Sequence, residues 1–138
     1  MYFIGIGSYN FDIMRNPPLI LLVDDDPQIQ EIYSMKLSAS GYKIIQARNG
    51  EEGVKIAKQE RPDLILLDIL MPVMDGARAL VELREDPETK NIPVLILTSL
   101  EDRPEDIKFA KEAGAVDFMR KDIDFNDLLA KIKSAIKV

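Results

Sequence analysis

Few residues of this chain could do chemistry together: the acidic run Asp24-Asp25-Asp26, the acid Asp68 that ends an apolar run, the hydroxyl of Thr98 and the ammonium of Lys121. The chain has no cysteine and no histidine. Disulfides, thiol catalysis, thiolate metal sites, Ser-His-Asp hydrolysis, histidine-bound zinc and a phosphohistidine carrier are therefore excluded. Carboxylates, hydroxyls, lysines and backbone amides remain, a set that suits a hard oxygen-bound cation such as Mg2+. Two carboxylates about 4 Å apart repel by roughly 4 kcal/mol at an effective dielectric near 20, so three that converge need a cation or a proton. A hydroxyl and an ammonium beside such a cluster make a receptor for a tetrahedral anion, whose oxygens the cation and the lysine neutralise. Each residue also has a plainer reading. Asp26 could simply cap a helix and Asp68 a turn, a lone Thr at a strand end is usually structural, and a lone Lys is usually a solvated charge.

Hydrophobic patterning supplies the elements that must position these groups. Leu64 to Leu67 is a continuous apolar run, too short for a helix and without alternation, which predicts a strand buried on both faces of a parallel sheet. Leu19 to Val23 reads the same way, and both runs end in acids, at the strand end where open α/β sheets place their chemistry. Asp26-Pro27 starts a helix with proline in its first turn, and Ile29, Ile32, Met35 or Lys36, and Leu37 predict its buried stripe. Tyr42 to Ala47 is a short strand, and Asn49 caps a helix through Glu60 that buries Val54 and Ala57. Beyond Asp68, Met71 to Gly76 forms a loop into a helix carrying Ala77, Leu80 and Leu83. Val94 to Leu97 is a strand finished by Thr98-Ser99. A helix over Pro104 to Ala113 turns Ile107 and Ala110 inward and closes at Gly114. Val116 to Met119 is a last strand, and Asp124 or Asn126 caps a final helix that buries Leu128, Leu129, Ile132 and Ile136.

Five strands alternating with five helices predict an α/β fold, a doubly wound five-stranded parallel sheet with right-handed crossovers. The flavodoxin-like order 2-1-3-4-5 is the common choice at this size. In that order the first and third strands are neighbours, so Asp24, Asp25 and Asp68 share one crevice. Thr98 and Lys121 arrive at the same edge.

The chain's 138 residues, 46% of them hydrophobic, suffice for one domain with a sizeable core and not for two ordinary ones. A net charge of -6 and a pI near 4.7 argue against direct nucleic-acid binding. No apolar run approaches the roughly 20 residues that span a bilayer, and the first basic residue is Arg15, so neither membrane insertion nor a secretory signal is expected. A cytoplasmic location is. Residues 1–17 differ from the rest: Tyr2, Phe3, Tyr9 and Phe11 are four of the nine aromatics, joined by Ile4, Ile6 and Ile13 and followed by Asn16-Pro17-Pro18. They read as an apolar N-terminal extension ahead of a single domain over 18–138. The extension could dock on its own domain, form a contact between protomers, or lie upstream of a native start at Met14.

Four ordered motifs resemble the receiver (CheY-like) domain of two-component response regulators. They are Leu-Leu-Val-Asp-Asp-Asp-Pro at 21–27, Asp-Ile-Leu-Met-Pro-Val-Met-Asp-Gly at 68–76, Leu-Thr-Ser at 97–99 and Gly-Ala-Val-Asp-Phe-Met-Arg-Lys at 114–121. The resemblance implies that Asp68 is the phosphoacceptor and that Asp24, Asp25, Asp68 and the Leu70 backbone carbonyl hold Mg2+. It implies that Lys121 pairs with the phosphoryl group, that Thr98 hydrogen-bonds it on switching and that Phe118 turns inward behind Thr98. The phosphoryl donor would be a sensor histidine kinase or a histidine phosphotransfer protein. Downstream proteins would read the face of helix 4, strand 5 and helix 5, with Lys108, Lys111, Phe118 and Arg120, and a homodimer is possible. Such a domain is not an enzyme beyond its own phosphorylation and dephosphorylation.

The chain departs from the family's pattern in places. Asp122 follows Lys121 where the family usually has proline, often after a cis bond; a cis bond before a non-proline residue costs roughly 2.5–4 kcal/mol, so a trans peptide is expected. Phe118 lacks a tyrosine's hydroxyl. Leu70 and Leu100 occupy positions that in this family flank the path of the attacking water, and as apolar residues they predict a long-lived phosphoryl group suited to a relay or sustained signal. The rival readings are a phosphorylation-independent pseudo-receiver that only binds partners, and a Mg2+-dependent phosphatase. The second would need an acid where Leu70 stands.

Overall fold

A computed structural model describes residues 16–69, 76–99 and 104–136. The apolar runs are strands and the amphipathic stretches helices, in strict alternation: β1 (Leu19–Val23), α1 (Pro27–Ala39), β2 (Lys43–Ala47), α2 (Gly50–Glu60), β3 (Leu64–Asp68), α3 (Gly76–Glu85), β4 (Val94–Thr98), α4 (Pro104–Glu112), β5 (Asp117–Arg120) and α5 (Phe125–Ile136). All four strand pairings are parallel and the order is β2-β1-β3-β4-β5, as expected for a doubly wound flavodoxin-like sheet. Val23 pairs with both Ala47 and Leu67, Asp68 with Leu97, and Thr98 with Arg120. The carboxyl ends of the strands therefore form one level edge.

Every residue of β1, β3 and β4 is buried, because helices cover both faces of the sheet. On one face Leu21, Val23, Ile65, Leu67, Val94 and Ile96 pack with Val54, Ala57, Ala79, Leu80, Leu83 and Ala110 from α2, α3 and α4. On the other, Ile20, Leu22, Leu64, Leu66, Leu95 and Leu97 pack with Tyr33, Leu37, Leu128 and Ile132 from α1 and α5. Each fully buried aliphatic side chain stabilises by about 1.5–3 kcal/mol relative to exposure, so the three central strands supply most of the driving force. The edge strands β2 and β5 are only partly buried.

Local signals set the helix ends. Asp26 caps α1 by accepting from Gln28 N at 2.9 Å, with Pro27 next. Asn49 caps α2 by accepting from Glu52 N at 2.8 Å, while Glu52 accepts from Arg48 N at 2.7 Å. Asp124, rather than Asn126, caps α5 by accepting from Asn126 N at 3.0 Å. Gly114, at φ 106°, takes the left-handed conformation that ends α4.

Three expectations need correction. The buried face of α1 is Gln30, Tyr33 and Leu37, whereas Ile32 and Met35 are 43% and 64% exposed. The cause is polar, since Gln30 and Tyr33 each hydrogen-bond backbone at the sheet's edge. In α3, Ala79 and not Ala77 joins Leu80 and Leu83 in the core. Both edge strands begin one residue later than expected: β2 at Lys43, because Tyr42 donates to Leu37 O at 3.1 Å and closes α1, and β5 at Asp117, because Val116 donates to Val94 O at 2.9 Å but leaves its side chain in solvent.

Candidate functional site

Asp24 leaves β1 at the edge of the sheet, its N–H donating to Ala47 O at 3.1 Å, and its side chain is wholly buried. One carboxylate oxygen, Oδ1, accepts from Asp26 N at 2.9 Å. Asp68 ends β3 next to it and is also buried, while Asp25 is exposed. One oxygen from each of Asp24, Asp25 and Asp68 lies within 4.8 Å of the others. Across the sheet, Lys121 follows β5 and extends its ammonium to Asp24 Oδ2 at 3.1 Å and Asp68 Oδ2 at 3.2 Å. The strand register thus brings Asp24, Asp25, Asp68 and Lys121 into one cluster. Asp26, the remaining acid, serves as the α1 cap.

The electrostatics of the cluster are lopsided. Three carboxylates face one ammonium, so two negative charges are left over among these four groups if all are ionised. Burial holds the Asp24 carboxyl above its ordinary range despite the Asp26 amide and Lys121. Burial also works against the Lys121 ammonium, but Asp68 and Asp24 together outweigh it and raise that group. The partners respond unequally because Lys121 has two carboxylates whereas Asp24 shares one lysine. Among the described residues, Asp24 Oδ2, though 3.1 Å from Lys121, accepts no well-aligned hydrogen bond, and it is buried. An under-satisfied buried oxygen within an excess of negative charge is what a hard divalent cation would complete, so the donor set fits Mg2+.

Thr98 lies at the end of β4, buried, with Oγ1 donating to Met119 O at 3.2 Å. Phe118 is partly buried against the core, with the Lys111 ammonium 4.1 Å above its ring. Lys108, Lys111 and Arg120 are exposed on α4 and β5, and Arg120 pairs with Asp122 at 3.0 Å. The Lys121–Asp122 peptide is trans. Leu70, Leu100 and residues 1–15 lie outside the described residues.

The sequence did not single out Gln30 or Tyr33, and it offered Gly76 only as the end of a motif. Gln30 Nε2 reaches the carbonyls of Leu22 (3.2 Å), Asp24 (3.0 Å) and Ala47 (2.8 Å). Tyr33 Oη donates to Lys121 O at 3.1 Å. Gly76 starts α3 against the backbone of Asp68, donating to Ile69 O at 2.9 Å, and a Cβ there would overlap the Asp68 carbonyl oxygen. Positions 30, 33 and 37 form as regular a helical stripe as the expected apolar one, with which they share Leu37, and the polarity of Gln30 and Tyr33 hid those two.

A family model described as "Response regulator receiver domain" matches residues 20–133. The chain is 38% identical over 120 residues to the DNA-binding dual master transcriptional regulator RpaA of Synechocystis sp., a match covering 87% of this chain and 49% of that protein. It is 38% identical over 117 residues to protein PilH of Pseudomonas aeruginosa, covering 85% of this chain and 96% of PilH. The chain thus spans about half of one curated relative and nearly all of another. Among solved structures, the receiver domain of sensor histidine kinase PA1611 from Pseudomonas aeruginosa superposes with a TM-score of 0.81 at 29% identity, covering 88% of this chain and 98% of that one. That structure holds a magnesium ion coordinated in its active-site cleft.

Proposed function

This chain belongs to the response regulator receiver domain family of two-component signalling, and on that footing we propose that it accepts a phosphoryl group on Asp68 and signals by changing which proteins it binds. The observation that carries the reading is the convergence of Asp24, Asp25 and Asp68 with Lys121 bridging two of them. Residues 18–138 form the receiver domain in this reading, and 1–17 an apolar extension. Asp24, Asp25, Asp68 and the Leu70 backbone carbonyl would hold Mg2+. When bound, the cation neutralises the oxygens of a transferring phosphoryl group.

The remaining steps fall to the chain's own residues. An Asp68 carboxylate oxygen attacks the phosphorus of a phosphohistidine in line, and the new O–P bond forms as the N–P bond breaks. The imidazole nitrogen of the donor keeps that electron pair and takes up a proton. The donor is a sensor histidine kinase or a histidine phosphotransfer protein; a small acyl phosphate can replace it. Lys121, already against Asp68, follows the charge onto the phosphoryl oxygens. Thr98 Oγ1 exchanges the Met119 carbonyl for a phosphoryl oxygen, and Phe118, the neighbour of Met119 in β5, turns inward. The altered face of α4, β5 and α5, with Lys108, Lys111, Phe118 and Arg120, is what partners read, a second copy of the chain among them. Leu70 and Leu100, being apolar, leave the attacking water unoriented and make the phosphorylated state long-lived.

The test is incubation with Mg2+ and acetyl phosphate followed by intact mass. The wild type gains the mass of one phosphoryl group, and neither Asp68→Asn nor the wild type in EDTA does. A wild type that never gains it would make the chain a phosphorylation-independent binding module.

A further inference from the structure

Lys121 does its work from an unpromising place. It sits in the turn after β5, a partly buried edge strand, yet its ammonium must stand beside Asp24 and Asp68, at the ends of strands β1 and β3. A lysine's four-carbon stem is flexible, so its aim depends on how firmly its own backbone is held. Both backbone polar groups of Lys121 are tied. Its N–H donates to Thr98 O at 2.8 Å, extending the β4–β5 ladder, and its carbonyl accepts from Tyr33 Oη at 3.1 Å. The second tie comes from a different layer of the fold.

Tyr33 is well suited to anchor it. The side chain is 6% exposed and its ring packs in the cluster that contains Ile20, Leu22, Leu97, Met119 and Leu128, so the phenol cannot shift without disturbing the core. Burial raises its pKa and keeps the hydroxyl a donor. Packing alone gives no reason for that hydroxyl, since a phenylalanine ring would fill the same space. Among the described residues, the other ties on the turn are local or exposed: Ile123 N to Arg120 O at 3.0 Å, and the Arg120–Asp122 pair. One turn earlier on α1, Gln30 holds the Asp24 carbonyl. Helix α1 thus grips the backbone at both ends of the Asp24–Lys121 ion pair.

We propose that Tyr33 is a positioning residue for Lys121, fixing the lysine's carbonyl so that the ammonium is presented to Asp68 and the incoming phosphoryl group. The proposal rests on the reading in which Lys121 serves phosphoryl transfer. The test uses Tyr33→Phe, which keeps the ring, in the wild-type and Lys121→Met backgrounds, with phosphorylation by acetyl phosphate followed at saturating Mg2+. Losing one partly buried hydrogen bond corresponds to about a three- to tenfold slower reaction. In the Lys121→Met background the same change is expected to have no effect. Equal slowing in both backgrounds, which a packing role would produce, overturns the proposal, as does no slowing in either. Amide hydrogen exchange without any phosphodonor supplies an independent readout: Tyr33→Phe speeds exchange at Lys121 to Ile123 and leaves β1 unchanged. Unaltered exchange there would also overturn the proposal. A wild type that takes no phosphate defeats the functional reading alone, because the exchange measurement still decides the tether.

Discussion

Asp25→Asn separates the acids' role as metal ligands from any role in holding the fold. Asp25 stands within 4.8 Å of carboxylate oxygens on Asp24 and Asp68, and among the described residues Lys121 pairs with those two and not with Asp25. At 4.8 Å two unit charges repel by about 0.9 kcal/mol at the dielectric of water and about 3.5 kcal/mol at an effective dielectric of 20. Asp25 is exposed, so its two repulsions lie near the lower figure and are further screened by salt, together about 1–2 kcal/mol. Neutralising it without changing its size therefore stabilises the metal-free protein, raising Tm by about 3–8 °C for a domain of this length. Mg2+ at about 100 times its Kd adds about 2.7 kcal/mol to whatever binds it, and the variant has lost a ligand. Thermal melts in low-salt buffer should find the variant more stable than wild type in EDTA and less stable in saturating Mg2+. A variant that melts at or below wild type in EDTA, or that gains as much from Mg2+, would refute the reasoning.

Gly76→Ala sets a Cβ against the Asp68 carbonyl oxygen and the Ile69 Cα, backbone that cannot swing away, and should cost on the order of 3 kcal/mol in urea unfolding. A loss under about 1 kcal/mol would show that the junction of β3 and α3 yields easily. Asp117 pairs with Lys131 at 2.7 Å; although burial opposes it, that lysine and the Phe118 amide hold its carboxyl below the ordinary 3.8. A lowered carboxyl contributes stability above its unfolded value and loses it as pH falls through the folded one. Lys131→Met should therefore destabilise at neutral pH by about 0.2–1 kcal/mol, as for a half-exposed pair, and match wild type in acid; a constant gap from about pH 7 to about pH 2 would contradict this. The double variant Leu70→Asn, Leu100→Glu should lose its phosphoryl group faster than wild type, followed by intact mass over time, and equal or slower loss would sink the shielding idea.

What could be read from the residues alone divides along physical lines. The central strands β1, β3 and β4 declared themselves because burial on both faces leaves an unbroken apolar run, and an acid after such a run calls for a reason. Convergence of the acids then needed only the strand order. The caps at Asp26 and Asn49 were equally plain, being set by bonds to near neighbours. The inner face of α1 was not legible. Two stripes of similar spacing compete on that helix, and Gln30 and Tyr33 win through hydrogen bonds to backbone atoms as distant in sequence as Ala47 and Lys121. Gly76 was seen as part of a loop motif, but its close approach to Asp68 depends on how α3 meets β3. The start of β5 slipped by one residue because an edge strand carries a weaker burial pattern than a central one.

Chemical trapping of the acyl phosphate identifies which carboxylate carries the phosphoryl group. After reaction with acetyl phosphate and Mg2+, borohydride reduces an aspartyl phosphate to homoserine, which peptide mass spectrometry can locate. Homoserine is expected at position 68 alone, and none when Mg2+ is withheld. Homoserine at position 24 or 25, or unmodified aspartate at all three, would contradict it.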